Sequence, residues 1–316
     1  MTPRTETLQA TTADIDRAAR LLRAGALVAF PTETVYGLGA DARQADAVAK
    51  IYAAKNRPPM NPLIVHVPNA EIAQEYVRWS DIAQQLADAF WPGPLTLVLP
   101  LHSKHGLSSR VTAKLTTLAI RVPAHHVAQA LLRKFDGPLA APSANPSGKI
   151  STTTADHVLA GLSGRIDAVI DGGACTVGLE STIISVASGP PALLRAGGVS
   201  IEAIERLLSI KLQTAEDGKI IAPGQLASHY APRAPVRLNA LAKKPHEVHL
   251  GFGPIEGDLN LSAMGDLTQA AAALFAALRQ LDGHAKPIAV APIPDEGLGR
   301  AINDRLRRAA APRDTH

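Results

Sequence analysis

Ala26-Leu27-Val28-Ala29-Phe30-Pro31-Thr32-Glu33-Thr34-Val35-Tyr36-Gly37-Leu38-Gly39 runs from five apolar residues, through a proline, into a polar loop that carries two glycines. The apolar half, bounded by Gly25 and Pro31, reads as a short buried strand. Upstream, the stretch 14–23 sets Ile15, Ala18, Leu21 and Leu22 on one helical face, with Gly25 placed to end the helix. Downstream, the spacing predicts helices over 45–54, 82–90, 127–135, 154–162 and 201–208. Short apolar runs over 63–67, 95–99, 118–122, 139–141, 168–170, 182–186 and 192–195 read as strands. Helices alternating with short apolar strands indicate an α/β domain that closes near residue 208.

From 211 to 235 the pattern lapses into charged and turn-forming residues, ending Ser228-His229-Tyr230-Ala231-Pro232-Arg233-Ala234-Pro235, a linker by composition. Beyond it, 247–251, the alanine-rich 267–281 and 288–291 predict a smaller second α/β domain. The expected division is therefore 1–208, a linker or lid over 209–235, and 236–316. A last helix over 299–311 carries Arg300, Arg305, Arg307 and Arg308, which read as a solvated basic face.

The 316 residues are 46% hydrophobic, enough to bury a core and to exclude wholesale disorder. A net charge of +4 fits anionic small molecules or RNA, while an aromatic content of 3% leaves few platforms for stacking a nucleic-acid strand. The one cysteine, Cys175, rules out an internal disulfide or a cysteine-built zinc site. No apolar run approaches the roughly 20 residues that span a bilayer, and the start is too polar for a signal peptide. The expected setting is cytoplasmic, without a membrane.

The loop at 31–39 follows a strand end, where ligands bind in open α/β sheets. Gly37-Leu38-Gly39-Ala40-Asp41-Ala42 spells the dinucleotide fingerprint, but a proline separates it from the strand and no acidic residue lies about 20 positions on. A nicotinamide site is rejected on that ground. Lys55 and Arg57 leave a helix end beside prolines, where two cations suit a phosphate chain or simply complement the helix dipole. His66 sits inside a strand, as core histidines do. Arg121 lies in an apolar strand and needs an anionic partner, either a protein carboxylate or that of a ligand. The loop 142–151 is rich in donors yet lacks the order of a Walker A loop, and Ser143 lacks a nucleophile elbow. Ser181 and Arg195 add a hydroxyl and a cation at other strand ends. Threonine, serine and arginine at strand ends are equipment for positioning an anionic nucleotide, rather than for covalent catalysis.

Read together, PTETVYGLGADA, KNRPPMNPLIVHV, WPGPLTLVL, LAIRVP, APSANPSGKIS, GLESTIISV and LLRAGGVS resemble the YrdC-like family of threonylcarbamoyl-AMP synthases. Gly224 and the His229-Tyr230-Ala231-Pro232 run resemble members with a C-terminal extension. The resemblance implies a twisted mixed sheet with surrounding helices around a basic cavity, plus the smaller C-terminal α/β domain. It implies that threonine, bicarbonate and ATP, with magnesium, give threonylcarbamoyl-AMP and pyrophosphate for threonylcarbamoyladenosine in tRNA. TRNA-modifying transferase proteins would act downstream, and a weak RNA contact would accompany them. Carried over by position, Thr34, His66, Arg121 and Ser181 would bind threonine, with the backbone near Ala141. Lys55, Arg57, Asn61, Thr117, Ser143, Asn145, Ser151, Arg195 and Tyr230 would line the ATP site, with Lys55 and Arg57 neutralising charge as the α-phosphate is attacked. The resemblance names no metal ligands. Two rivals are an RNA-binding maturation factor and a carbamoyltransferase acting on another acceptor.

Overall fold

The computed structural model describes residues 4–214 and 229–312. The chain opens with β1 (Glu6–Gln9) and α1 (Thr12–Arg23), followed by β2 (Val28–Phe30) and β3 (Gly37–Asp41). Next come α2 (Ala45–Lys55), β4 (Ile64–His66), α3 (Ala70–Gln74), α4 (Asp81–Phe90), β5 (Leu95–Pro100) and β6 (Thr117–Arg121). Then follow α5 (His126–Phe135), β7 (Leu139–Ala140), α6 (Ala155–Leu162), β8 (Ala168–Asp171), β9 (Thr182–Ser185), β10 (Ala192–Arg195), α7 (Ile201–Leu208) and β11 (Gln213–Thr214). After residue 228 the order is β12 (Val236–Arg237), β13 (Val248–Gly251), β14 (Leu259–Asn260), α8 (Leu267–Asp282), β15 (Ile288–Val290) and α9 (Gly299–Ala310). Thr11, Ser80, Thr154 and Ser200 fix four of the helix starts, each accepting from the backbone N–H three residues on.

The larger sheet is mixed, in the order β1-β8-β2-β3-β7-β4-β6-β5-β9-β10-β11. Its central strands are buried on both faces, which is why they read as unbroken apolar runs. Alternate residues serve opposite faces. Val28 and Phe30 join α1 and α5 in a core with Leu22, Leu131 and Phe135, whereas Leu27 and Ala29 join α2, α4 and α6 in a core with Ile51, Leu86 and Val158. The smaller sheet is wholly parallel, in the order β12-β15-β13-β14, with α8 and α9 packed on it. Its core does not stop at the linker: Val35, Ile150 and Leu179 share one apolar cluster with Phe275, Leu278 and Ile302. The smaller body is thus built onto the mouth of the larger one.

Two expectations change. The glycine-bearing stretch after Tyr36 is a strand, antiparallel to β2 with Phe30 opposite Gly37. Its glycines serve packing: a Cβ at Gly39 would lie 2.9 Å from Phe30 Cε1 and 3.1 Å from the Val28 carbonyl oxygen. The basic face of α9 is also not uniformly solvated. Arg307 is exposed, but Arg305 is fully buried and paired with acidic side chains. Most of the linker, including Gly224, lies outside the described residues. Among the described residues no helix is long and apolar enough to cross a membrane.

Candidate active site

The cleft forms where strand ends converge, and its first wall is the β2–β3 connection. Thr32 Oγ1 donates to the Val35 carbonyl at 2.6 Å and accepts from the backbone N–H of Thr34 and Val35, curling the loop into a hydroxyl turn. Its proton is therefore committed, so across the 2.7 Å contact between the two hydroxyls Thr34 is the donor. That fixes the Thr34 oxygen, which in turn accepts from Arg121 Nη1 at 2.8 Å.

β4 and β6 run parallel with His66 beside Arg121, so both side chains arrive at the carboxyl end of the sheet. Arg121 donates from Nε to the Gly93 carbonyl at 3.1 Å and from Nη2 to Glu33 Oε1 at 2.6 Å. Glu33 Oε2 accepts from the Ala124 N–H. These bonds engage three of the five guanidinium donors. The open question of Arg121's partner is answered in part by a protein carboxylate, which the sequence reading did not single out as a site residue. His66 is buried, and burial together with the Arg121 charge lowers it to about 3, so the ring stays neutral. Its Nδ1 has no hydrogen-bond partner among the described residues.

Two further arginines face the same space. Arg57 follows α2, whose C-cap Asn56 is left-handed, and it donates to the Asn61 and Pro62 carbonyls. Burial lowers its guanidinium to about 10. Arg195, at the end of β10, donates to the Ser181 carbonyl and to Ser181 Oγ. Ser181 Oγ also lies 2.7 Å from Thr96 Oγ1. His229 and Tyr230 close one side. Tyr230 has a φ of 60°, a conformation that bulky side chains avoid, with its ring stacked between His229 and Phe275. Burial pushes His229 down to about 3.

Thr34, Arg57, His66, Arg121, Ser143, Ser181, Arg195 and Tyr230 all line this one cleft, with Ala141 beside them. The remaining candidates stand elsewhere. Lys55 is buried behind the wall, its ammonium donating to the carbonyls of Ser143 and Asn145. Burial, then the Arg57 charge, holds it well below the usual lysine range. Asn61, Asn145 and Ser151 are buried but not in the lining. Thr117 is at the opposite end of β6 from Arg121. The lining also includes Thr32, Glu180 and His229.

Glu180 brings a carboxylate into the lining itself. Oε1 accepts from Ser151 Oγ at 2.5 Å and Oε2 from Arg305 Nε at 2.7 Å. Burial alone would raise its carboxyl, but Arg305, Arg195 and these bonds override it and hold the group below the usual range. Arg305 comes from α9, and its guanidinium also sits 5.0 Å above the Tyr230 ring. Arg279 of α8 donates to the carbonyls of Ile150 and Ser151. Local sequence gives no signal for these contacts, because the partners lie more than a hundred residues apart.

Among the described residues no three histidine, cysteine or acidic side chains gather as a metal cage. Glu33 and Glu180 are both engaged by arginines. The described residues therefore do not fit a dedicated magnesium site.

Known proteins resemble the chain throughout its length. Residues 20–197 match the family model described as "Telomere recombination", and residues 199–311 match the model "Threonylcarbamoyl-AMP synthase, C-terminal domain". The threonylcarbamoyl-AMP synthase of Bacillus subtilis (strain 168) is 41% identical over 98% of this chain and 96% of its own length. That of Pyrococcus abyssi (strain GE5 / Orsay) is 42% identical over 93% of each. The crystal structure of P. abyssi Sua5 complexed with L-threonine superposes with a TM-score of 0.89, at 36% identity, covering 97% of both chains. E. coli YciO, with a TM-score of 0.56 at 21% identity, shares the fold over 62% of this chain. With both halves matched in order, the chain belongs to the threonylcarbamoyl-AMP synthase family, enzymes of the transferase class.

Proposed function

We propose that the cleft joins L-threonine, bicarbonate and ATP into threonylcarbamoyl-AMP and pyrophosphate, for threonylcarbamoyladenosine modification of tRNA. The observation that carries this reading is one continuous lining: Thr34, His66, Arg121 and Ser181 beside Arg57 and Arg195. The first group offers the remaining guanidinium N–H donors of Arg121, hydroxyls and a neutral imidazole to a small zwitterion. The second offers two arginines to phosphates. That a relative is seen complexed with L-threonine supports threonine as a substrate. The residue roles and the division at 208 and 236 remain part of this proposal.

In this reading the threonine amine adds to bicarbonate with loss of water and forms a carbamate. A carbamate oxygen then attacks the α-phosphate; the new P–O bond forms as the bond to pyrophosphate breaks. No enzyme nucleophile is needed, so alignment and charge neutralisation carry the rate. Arg57 and Arg195 would receive phosphate charge directly. Lys55 would act from behind by fixing the Ser143 and Asn145 carbonyls. Asn61, Asn145 and Ser151 would shape the nucleotide wall, Thr117 would stand outside it, and Tyr230 would cover the base or sugar. The product would pass to tRNA-modifying transferase proteins in the cytoplasm, with at most a weak RNA contact of its own.

The test is pyrophosphate release from ATP by the purified protein, with threonine and bicarbonate each omitted in turn. Release that needs both, with the mass of threonylcarbamoyl-AMP in the product, is the expected result. Release indifferent to threonine would overturn the assignment in favour of another acceptor.

A further inference from the structure

We infer that Arg305, contributed by α9 of the smaller body, is a positioning residue for nucleotide binding: it keeps the Glu180 carboxylate engaged and away from the arginines that receive phosphate, and it seats the Tyr230 ring in the cleft wall. The inference rests on reading the cleft as an ATP site. Glu180 and Tyr230 line the cleft, whereas Arg305 does not, so Arg305 acts through them. It is fully buried, which a guanidinium tolerates only when its charge is met, and Glu180 and Asp304 meet it at 2.7 and 2.6 Å. Both Glu180 oxygens are then taken, one by Arg305 and one by Ser151.

The physical need is plain. A buried carboxylate in the wall of an anion site repels phosphate and competes for Arg195 and Arg57. Clamped by its own arginine, it contributes a neutral pair instead. The groups that face Glu180 are Arg305 and Asp304 from α9, Arg195 from β10, Ser151 from the 143–151 loop, and His229 and Tyr230. Arg305 and Ser151 touch it through side-chain hydrogen bonds, and Arg195 adds a second positive charge nearby. Without Arg305 only Arg195 and the Ser151 hydroxyl oppose burial, so the carboxyl shifts upward from its present position. A larger share of it would then be protonated at the acid end and would ionise as the pH rises.

The experiment is calorimetric ATP binding to the full chain without threonine, from pH 6 to 9, for wild type, Arg305→Met and Arg305→Met/Glu180→Gln. The Kd ratio of Arg305→Met to wild type should grow with pH and reach roughly 10- to 100-fold at the alkaline end. The double variant should bring that ratio most of the way back and remove its pH dependence. A purely structural role would give a constant loss that Glu180→Gln does not rescue. Either that pattern or wild-type Kd values in Arg305→Met overturns the inference. If Arg305→Met does not fold, Arg305→Lys with the same Glu180→Gln rescue reads the same question. Wild-type ATP binding without threonine-dependent pyrophosphate release would sink the functional reading alone and leave this inference to its own test.

Discussion

Glu33 and Arg121 meet at 2.6 Å with both side chains nearly sealed from solvent, so the guanidinium at the floor of the cleft arrives already neutralised. Arg57 and Arg195 stand further along the same lining. In the proposed reading, the paired guanidinium faces threonine and these two arginines face phosphate.

Breaking that pair should cost more than it would on a surface. Arg121→Ala leaves Glu33 buried without a cation, and an orphaned partner of this kind typically costs about 3–5 kcal/mol. Urea unfolding should show that loss, and Arg121→Met/Glu33→Gln should recover most of it. A double variant no more stable than Arg121→Ala would contradict the argument.

Arg57 is held by the Asn61 and Pro62 carbonyls and lies beside Tyr52, yet it lines the cleft. Arg57→Ala should lower kcat/KM for ATP by roughly 10- to 100-fold, the scale of one charged hydrogen-bonding group. Circular dichroism should be unchanged, and KM for threonine should move little. Wild-type turnover in the folded variant would remove Arg57 from the phosphate site.

His66 and His229 both titrate near 3 when folded, far below the ordinary histidine range, with burial as the largest cause. Between about pH 6.5 and 3 the unfolded chain therefore binds more protons than the folded one, and stability falls as the pH falls. Above that window these rings contribute no slope. Each histidine can add up to about 1.4 kcal/mol per pH unit. Urea midpoints for His66→Asn measured at pH 7, 6 and 5 should decline less steeply than those of wild type.

A chain ending at residue 208 loses more than a neighbour. Val35, Ile150 and Leu179 lose the apolar partners they share with Phe275 and Leu278, and the loop at 150–151 loses Arg279. The shortened chain should bind an apolar dye such as ANS and show no measurable ATP binding. Nucleotide affinity equal to that of the full chain would refute this coupling.

Gly39→Ala tests the tight hairpin. A methyl group there would press on the Phe30 ring and the Val28 carbonyl, and overpacking of this kind costs about 1–3 kcal/mol. The expected outcome is a lower melting temperature with the nucleotide site intact.

Most of the helices and the central strands were legible because their signals are local: apolar spacing marks helices such as that over 14–23, and runs such as Leu95–Leu99 mark strands buried on both faces. The helix α3, five residues long, is too short to show a period. β3 was not legible. Gly37 and Gly39 argue against a strand by propensity, and the reason for them, the Phe30 ring across the hairpin, is tertiary. β12 and β14 are two residues each and leave no periodicity to read. Thr34, Arg121 and Ser181 stood out as polar groups in or beside apolar strands and Arg57 as a cation at a helix end, whereas His66 read as a core residue and gained its expected role only from the family resemblance. Glu180 and Arg305 could not. On α9 the arginine sits among three others, and nothing in that stretch tells the sealed one from the solvated ones.

The 125-residue span between Glu180 and Arg305 also sets an order of events during synthesis. A ribosome delivers Thr34, Arg57 and Arg121 long before α9 appears. Until then the Glu180 carboxylate lacks its clamp and the Tyr230 ring has no cation above it. A half-made chain therefore holds Thr34, Arg57 and Arg121 beside an unfinished wall, and the cleft acquires its last buried charge only when α9 docks.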